Sequence, residues 1–155
     1  MTNKILLSTL VASSLLLSAS VTAEDATGTA NFNLVYPLTV TEAAVMEFGD
    51  VSIAADGSCA VDYLGSATGS ACVSGGATSA AGSFTVGGAN GVVNVSVSGA
   101  DSSVNGVVFT PTVANASETI AGNSATINVA GNLDITAATA AAGTHALSYT
   151  LSVTY

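Results

Sequence analysis

The sequence predicts an all-β fold in which two antiparallel sheets pack as a sandwich. Apolar and polar residues alternate strictly in the last stretch of the chain and again near residue 30, and side chains that alternate in this way point to opposite faces of a β-strand. Short apolar runs between these stretches are separated by glycine and asparagine turn signals, and no helical periodicity occurs after residue 23. Eight or nine predicted strands within residues 24–155 favour a sandwich of immunoglobulin-like or jelly-roll character.

The last predicted strand covers residues 147–155. Hydroxyl side chains alternate there with five large apolar residues, namely Leu147, Tyr149, Leu151, Val153 and Tyr155. Each large apolar side chain stabilises a fold by about 1.5–3 kcal/mol when it is fully buried, so five would contribute roughly 7–15 kcal/mol as an upper bound. We therefore expect this strand to be central to the sandwich core.

A second alternating strand is predicted over residues 29–41, at the start of the domain. One parity of this stretch is apolar and consists of Ala30, Phe32, Leu34, Tyr36, Leu38 and Val40. Pro37 lies on the other parity and has no N–H to donate to a ladder, which predicts an edge strand or a break at this position.

The middle of the chain predicts short strands joined by turns. Residues 42–53 predict a strand that bends between the sheets at Gly49, and residues 59–63 and 71–73 predict a hairpin. Five further runs predict strands, at residues 83–86, 92–98, 107–113, 125–129 and 133–135, with a turn at Gly131 and Asn132 before the last. Residues 136–142 are rich in alanine but have neither a cap nor an apolar stripe, so we expect a loop.

The first 23 residues are typical of a secretory signal peptide. Lys4 precedes an apolar run that ends near Leu17, and Val21-Thr22-Ala23 provides a cleavage site. A membrane-spanning helix is the alternative, but the run is short and interrupted by serines. We therefore expect residues 24–155 to form a single exported domain, secreted through the periplasm to the cell surface or beyond.

The charge of the exported chain excludes several classes of partner. Lys4 is the only Lys or Arg of the sequence, so residues 24–155 have none, while the chain has ten acidic residues. Nucleic-acid binding draws its affinity from cationic contacts with phosphate, which excludes that function. Anionic membrane surfaces are disfavoured for the same reason.

The two cysteines, Cys59 and Cys72, predict a disulfide, because an even pair in an exported protein is normally oxidised. A loop of this length contributes about 3 kcal/mol in the chain-entropy interpretation. A metal site is the alternative, but two thiols and one distant histidine are a poor ligand set.

The residues that could support catalysis or metal binding are few, and none forms a known motif. His145 is the only histidine, and no G-x-S-x-G elbow accompanies it. Asp50, Asp56, Asp62 and Asp134 lie near turns, where they could bind Ca²⁺, but they do not form a D-x-D-x-D run. We therefore predict a non-enzymatic protein without a cofactor or a resident metal.

Three features together resemble known families: the alternating residues 32–40, the pair Phe48-Gly49, and the closing Gly-Thr-x(3)-Ser-Tyr-Thr-Leu-Ser-Val-Thr-Tyr of residues 143–155. The chain resembles an uncharacterised family of small secreted bacterial β-sandwich domains. More distantly, it is similar to the spore-coat-U-like and archaic chaperone-usher pilins. The resemblance implies a pilin-like fibre subunit in which Ala30, Phe32, Leu34 and Tyr36 fill a groove of the next subunit by β-strand addition. The alternative is that the same segment packs in its own subunit.

These observations lead to two functional hypotheses. The first is a structural subunit of an extracellular filament or fimbrium, with copies of itself and a periplasmic assembly chaperone as partners. The second is a monomeric surface or periplasmic domain for adhesion, which binds a glycan or a protein through loops such as residues 114–123.

Overall fold

The computed structural model describes residues 24–155, so the predicted signal peptide lies outside the described residues. The chain divides into two units, Met1–Asn33 and Leu34–Tyr155. In the first unit, the described residues 24–33 are exposed and contain no strand. The second unit contains nine strands in antiparallel sheets, which confirms the predicted all-β class and is consistent with a β-sandwich. Among the described residues no helix is long and apolar enough to cross a membrane.

The nine strands alternate with turns and longer irregular segments. They are β1 (Thr39–Ala44), β2 (Gly57–Val61), β3 (Ala67–Thr68), β4 (Gly82–Gly87), β5 (Gly91–Ser98), β6 (Val107–Val113), β7 (Ser117–Ile120), β8 (Ser124–Ile135) and β9 (Thr150–Thr154). Strands β4, β5 and β6 confirm three of the predicted runs. Residues 136–142 contain no strand, as expected for a loop.

The larger sheet is built around β8, its longest strand. One edge of β8 pairs with β6, while the other pairs with β4 along residues 124–129 and with β2 along residues 131–135. Strands β2 and β4 therefore lie end to end on one edge of β8. The chain between them, residues 62–81, forms an excursion that includes β3, and β1 pairs with the outer edge of β4.

The prediction of a turn at Gly131 and Asn132 is wrong, because β8 continues through both residues. Gly131 pairs with Val61 on one side and with Pro111 on the other. A Cβ atom at Gly131 would lie 2.6 Å from Cε2 of Phe109 and 2.9 Å from Sδ of Met46. The glycine thus permits close packing within a strand and does not reverse the chain.

The smaller sheet has the order β7-β5-β9, so the last strand lies at an edge. The expectation that this strand is central to the core is not met, because Leu147, Tyr149, Leu151 and Val153 are only half-buried and Tyr155 is 52% exposed. Its alternating residues describe one buried face, and a strand at either edge or in the middle of a sheet can have such a face. The structure also limits β9 to Thr150–Thr154, so Leu147 and Tyr149 precede the strand.

The predicted first strand is also shorter than expected. Residues 24–38 contain no strand, and β1 begins at Thr39, two residues after Pro37, at the end of the larger sheet. The break and the edge position agree with the missing N–H of Pro37. Beyond β1, the φ of Gly49 is 71°, which is consistent with the predicted bend. The predicted crossing between the sheets does not occur, because Glu47 bridges to Ala80 and Val51 bridges to Cys72.

Cys59 and Cys72 form the predicted disulfide, with their Cα atoms 4.9 Å apart. The predicted hairpin differs in its second strand, because β2 pairs with Ala67–Thr68 and Cys72 bridges to Val51. The disulfide therefore links β2 to the excursion and, through the Val51 bridge, to the segment that follows β1.

Candidate functional site

An open apolar groove of about 1040 Å³ lies beside the second half of β8. Its floor consists of Phe84, Val107, Phe109, Leu133 and Ile135. One side, which we call the early wall, is residues 45–53, of which all but Ser52 line the groove. The other side, the late wall, is residues 141–149. The groove is at the upper end of the size range of ligand sites, about 300–1,000 Å³.

The groove is open because the two halves of the core are covered differently. Val86 and Ile127 of the larger sheet pack with Val93, Val95 and Ile120 of the smaller sheet, and all five side chains are buried. The second cluster, which contains Phe109, Leu133 and Ile135, includes no residue of β5, β7 or β9. It packs instead against half-buried side chains of the two walls, which leave Phe109, Leu133 and Ile135 only 2%, 8% and 6% exposed without a second sheet.

The early wall is held against the excursion. Its backbone exchanges two hydrogen bonds between Glu47 and Ala80, with N···O distances of 2.9 and 2.8 Å. The carboxylate of Asp50 accepts a hydrogen bond from the backbone N–H of Ala77 at 3.0 Å. These contacts bind the wall on the side of the larger sheet and leave its other side facing the groove.

The late wall takes part in no sheet ladder, because ladder pairing begins only at Thr150. Its position depends on Asp101, whose Oδ2 accepts a hydrogen bond from the backbone N–H of Ser148 at 2.8 Å. The N–H of Ser103 donates to Oδ1 at 2.8 Å. The bonds from Ser148 and then Ser103 lower the pKa of the Asp101 carboxyl from 3.8 to about 2. The ionised carboxylate therefore acts as a clamp on the late wall.

Four aromatic rings connect the walls with the floor. Phe109 lies 5.8 Å from both Phe48 of the early wall and Tyr149 of the late wall, measured between ring centroids. Tyr149 lies 5.9 Å from Phe84. All three pairs are edge-to-face, an arrangement that adds about 0.5–1.5 kcal/mol per pair beyond area burial. The cluster gives the groove an apolar, rigid base.

The hydroxyl of Tyr149 is the one buried side-chain oxygen or nitrogen without a hydrogen-bond partner among the described residues. Burial, and to a lesser degree the charge of Glu42, raises the pKa of Tyr149 above its usual value of 10. Leaving a buried hydroxyl without a partner costs about 1–3 kcal/mol.

The groove begins where β1 ends and where β9 begins. These are the terminal strands of the two sheets, so each has an outer edge without a partner in the described part of the chain. Exposed strand edges of this kind pair readily with a further strand. The outer edge of each strand therefore has backbone groups that could pair with an added strand.

The predicted inserting residues do not lie in strands. Ala30 is exposed, and Phe32 is 81%, Leu34 86% and Tyr36 65% exposed. The carbonyl of Tyr36 accepts a hydrogen bond from the hydroxyl of Tyr155 at 2.8 Å, and that hydroxyl accepts one from the N–H of Ala89, also at 2.8 Å. This contact ties residue 36 to the ends of β4 and β9.

The residues of the last predicted strand divide among three environments. Leu147 and Tyr149 are half-buried in the late wall beside the open cluster. Leu151 and Val153 are half-buried against the closed cluster between the sheets. Tyr155 is 52% exposed and makes the hydrogen bonds at residue 36 described above.

The candidate catalytic and metal-binding residues are dispersed. His145 lies in the late wall, and its Nε2 is 3.0 Å from the carbonyl oxygen of Ala141. The carboxylates of Asp50, Asp56 and Asp62 accept hydrogen bonds from the backbone N–H groups of Ala77, Ala137 and Leu64, respectively. Asp134 is exposed on β8. Within residues 24–155 no three His, Cys, Asp or Glu residues lie close enough to hold a metal.

A second, smaller pocket of about 160 Å³ lies near the turn between β6 and β7. Asn115, Glu118, Thr126 and Asn128 contribute polar groups, and Tyr63 contributes a ring. The side-chain amide of Asn128 donates to the carbonyl of Tyr63 at 3.2 Å. The pocket presents amide, hydroxyl and carboxylate groups near residues 114–123. The prediction of a loop there is wrong for its middle part, because β7 occupies Ser117–Ile120 and pairs with β5.

Sequence reasoning did not identify the two walls of the groove. Residues 141–146 contain only small residues and His145, and residues 45–49 do not alternate, so neither segment has a periodic signal. One signal was available in the sequence: residues 29–36 alternate as a strand would, but Pro37 separates them from the strand that follows. Searches against protein-family models, curated proteins and solved structures found no match for this chain.

Proposed function

We propose that the protein is a secreted, pilin-like structural subunit of an extracellular filament or surface structure. In this proposal the fold is an incomplete immunoglobulin-like sandwich, and residues 29–36 of one copy fill the groove of the next. The observation that supports it is the presence in one chain of an open apolar groove and an exposed segment with alternating apolar side chains.

The exposed side chains supply a driving force for this association. Phe32, Leu34 and Tyr36 are each at least 65% exposed, and burying three large apolar side chains contributes roughly 5–9 kcal/mol before the cost of ordering the segment. Residues 24–155 contain no Lys or Arg, so salt bridges of Lys or Arg with carboxylates have no role in the interface. Apolar burial and backbone hydrogen bonds carry the association.

The positions of the groove and of the segment favour an open chain of subunits. Residue 36 is held where β1 begins and β9 ends, whereas the groove starts at the opposite ends of those two strands. Two different surfaces of each copy would therefore meet, which gives a head-to-tail contact. Contacts of this type extend into filaments unless the rotation between copies closes a ring.

Location and assembly partners follow from the same proposal. The Cys59–Cys72 disulfide favours an oxidising compartment, as expected for export through the periplasm. A subunit with an open groove would aggregate during export unless the groove were covered. We therefore include a periplasmic chaperone that supplies a temporary strand.

Two complementary variants of the mature chain test the proposal. Phe32→Ser/Leu34→Ser removes the inserting side chains, and Val45→Asp/Ala146→Asp places charges at exposed positions on both walls. Neither variant should form filaments alone, as judged by electron microscopy and analytical ultracentrifugation. A mixture should form a one-to-one dimer and stop there, because only one functional groove meets one functional segment.

The matched control is Val35→Ser, which changes a 61% exposed residue of the opposite parity and should leave filaments intact. Monodisperse monomer of the unmodified mature chain would contradict the proposal. So would mixtures of the two variants that contain only monomers.

The small pocket at residues 114–118 favours one second candidate, a monomeric binding domain for a glycan or a protein. Its amide, hydroxyl and carboxylate groups are suited to sugar hydroxyls. This candidate predicts a stable monomer with saturable glycan-array binding that Asn115→Ala and Asn128→Ala abolish. The filament proposal predicts that neither substitution affects assembly.

A further inference from the structure

Three pairs in the sequence consist of an Asn or Asp followed directly by glycine, namely Asp56-Gly57, Asn90-Gly91 and Asn105-Gly106. In such a pair the backbone nitrogen of the glycine can attack the side-chain carbonyl carbon of the residue before it and close a five-membered ring. Glycine permits this attack because it has no Cβ atom to crowd the nitrogen. Which pair reacts in the folded protein therefore depends on what holds its side chain.

Hydrogen bonds hold the side chains of the first two pairs. The Oδ1 atom of Asp56 accepts a hydrogen bond from the backbone N–H of Ala137 at 2.8 Å. The Oδ1 atom of Asn90 accepts one from the backbone N–H of Asn123, also at 2.8 Å. The glycines of these pairs begin strands β2 and β5. Rotating either side chain towards its glycine would break its hydrogen bond, so both pairs are protected.

The third pair is held by neither of these means. Asn105 is exposed, and its side chain makes no hydrogen bond with residues 24–155. Asn105 and Gly106 are the central residues of a turn, which is closed by the hydrogen bond from the N–H of Val107 to the carbonyl of Val104 at 3.0 Å. The N–H of Gly106 donates to no backbone carbonyl in the described part of the chain. Both reacting groups are therefore free.

We propose that Asn105 is a site of spontaneous deamidation. A base removes the proton of the Gly106 N–H, the nitrogen forms a bond to Cγ of Asn105, and the side-chain nitrogen leaves as ammonia. Water then opens the ring. Attack on Cγ gives ordinary Asp, whereas attack on the backbone carbonyl carbon leaves Gly106 joined through Cγ, which is isoaspartate. The reaction consumes one water, releases one ammonia and involves no oxidation or reduction.

Isoaspartate at this position disturbs a support of the late wall. The carbonyl of Gly106 accepts a hydrogen bond from the N–H of Thr136 at 2.8 Å. Gly106 also lies so close to this segment that a Cβ atom would collide with the backbone of Ala140. Isoaspartate lengthens the main chain by one carbon beside this contact and adds a negative charge. Because residues 136–140 lead directly into the late wall, the modification loosens that wall at its start.

The first test incubates the folded mature chain at mildly alkaline pH and assigns each mass gain by tandem mass spectrometry of peptic peptides. Asn105 should deamidate at least about fivefold faster than Asn90, because the hydrogen bond that holds Asn90 must break before its side chain can react. In urea the two rates should be equal, since both residues lie in the sequence Asn-Gly-Val. Equal rates in the folded protein, or faster reaction at Asn90, would overturn the assignment.

The second test measures hydrogen exchange of the Thr136 N–H, which Gly106 protects. Exchange should be faster in the incubated fraction that an isoaspartyl methyltransferase labels than in fresh protein. Asn105→Asp adds the charge without lengthening the main chain, and Asn105→Gln does not close a five-membered ring. Both variants should keep the exchange rate of fresh protein, and Asn105→Gln should show no mass gain at this position. Unchanged exchange in the labelled fraction would overturn the loosening of the late wall.

Discussion

The carboxylate of Asp101 accepts a hydrogen bond from the backbone N–H of Ser148 at 2.8 Å. Because Asp101 also forms a β-bridge with Phe109 of β6, it connects that strand with the late wall of the groove. Asp101 also exchanges two backbone hydrogen bonds with Phe109, a residue of the groove floor. A single half-buried residue thus contacts both a wall and the floor. Since residues 24–155 contain no cation of Lys or Arg, the partners of this carboxylate are N–H and O–H groups.

Asp101→Asn should reduce stability above pH 3.8 and have less effect in stronger acid. The folded-state pKa of about 2 lies below the ordinary 3.8, so the carboxylate contributes stability that is present above 3.8 and lost as pH falls through about 2. The free energy of unfolding, measured against pH for both proteins, should therefore converge in that window. Asp134→Asn, at an exposed residue without a side-chain hydrogen bond among the described residues, is the control and should change the free energy of unfolding at neutral pH by no more than about 0.5 kcal/mol.

Tyr149→Phe should stabilise the free subunit by up to about 1 kcal/mol, because it removes a buried hydroxyl without a partner. The raised pKa of Tyr149 means that its neutral form stabilises the fold at neutral pH and that this contribution is lost as pH rises above 10. The variant should accordingly lose less stability in alkali. Urea unfolding at neutral and alkaline pH measures both effects, with Tyr63→Phe as the matched loss of a hydroxyl. A destabilised Tyr149→Phe monomer would show that the hydroxyl has a partner in solution.

Gly131→Ala should destabilise the fold by about 1–3 kcal/mol, the usual range for overpacking. The added methyl group would collide with the Phe109 ring and with the Met46 sulfur, and both side chains border the groove. Gly28→Ala, which would meet no atom within 4 Å, is the control. The midpoint of chemical unfolding measures the difference. Equal midpoints would mean that the floor repacks without strain.

Cys59→Ala/Cys72→Ala should lower the free energy of unfolding by about 2–4 kcal/mol, because the bond closes a loop between residues 13 apart. Reducing the unmodified protein should give a similar shift, which separates the loss of the cross-link from the loss of the buried Cys59 side chain. Circular dichroism during guanidinium unfolding would measure both. A double variant as stable as the oxidised protein would contradict the prediction.

Phe32→Ala and Leu34→Ala should each leave the unfolding free energy of the monomer within about 0.5 kcal/mol of the unmodified value, since both side chains are exposed. Each should nevertheless slow filament growth, followed by light scattering. Ile120→Ala, at a residue that is 1% exposed, should by contrast lower the free energy of unfolding by about 2–5 kcal/mol. Large destabilisation by Phe32→Ala would indicate that the segment packs within its own subunit.

The sequence could predict strands whose burial has period two and whose ends carry turn residues. Strands β4 and β5 fit both conditions, and the disulfide followed from a pair of cysteines in a chain predicted to be exported. Gly131 misled the interpretation of β8, because a glycine required for close packing looks the same in sequence as one required for a turn. Only the Phe109 ring, which packs against the glycine in the folded structure, distinguishes the two.

The candidate site was harder to predict than the fold. Alternation in residues 29–38 describes a segment suited to a sheet, but it does not specify which sheet or which copy of the chain supplies the partner. The late wall has no periodic pattern, because Asp101 positions it by hydrogen bonds to backbone groups. Interactions of this kind depend on residues 47 positions apart and leave no local signal.

The excursion at residues 62–81 interrupts an edge formed by β2 and β4 without changing the register of either strand on β8. Its first turn is closed by Asp62, whose carboxylate accepts the N–H groups of Leu64 and Ser66, and Leu64 at the tip is 91% exposed. Foreign peptides grafted at Leu64 would therefore be displayed outside the domain, and the Cys59–Cys72 disulfide would attach the excursion that carries them to β2.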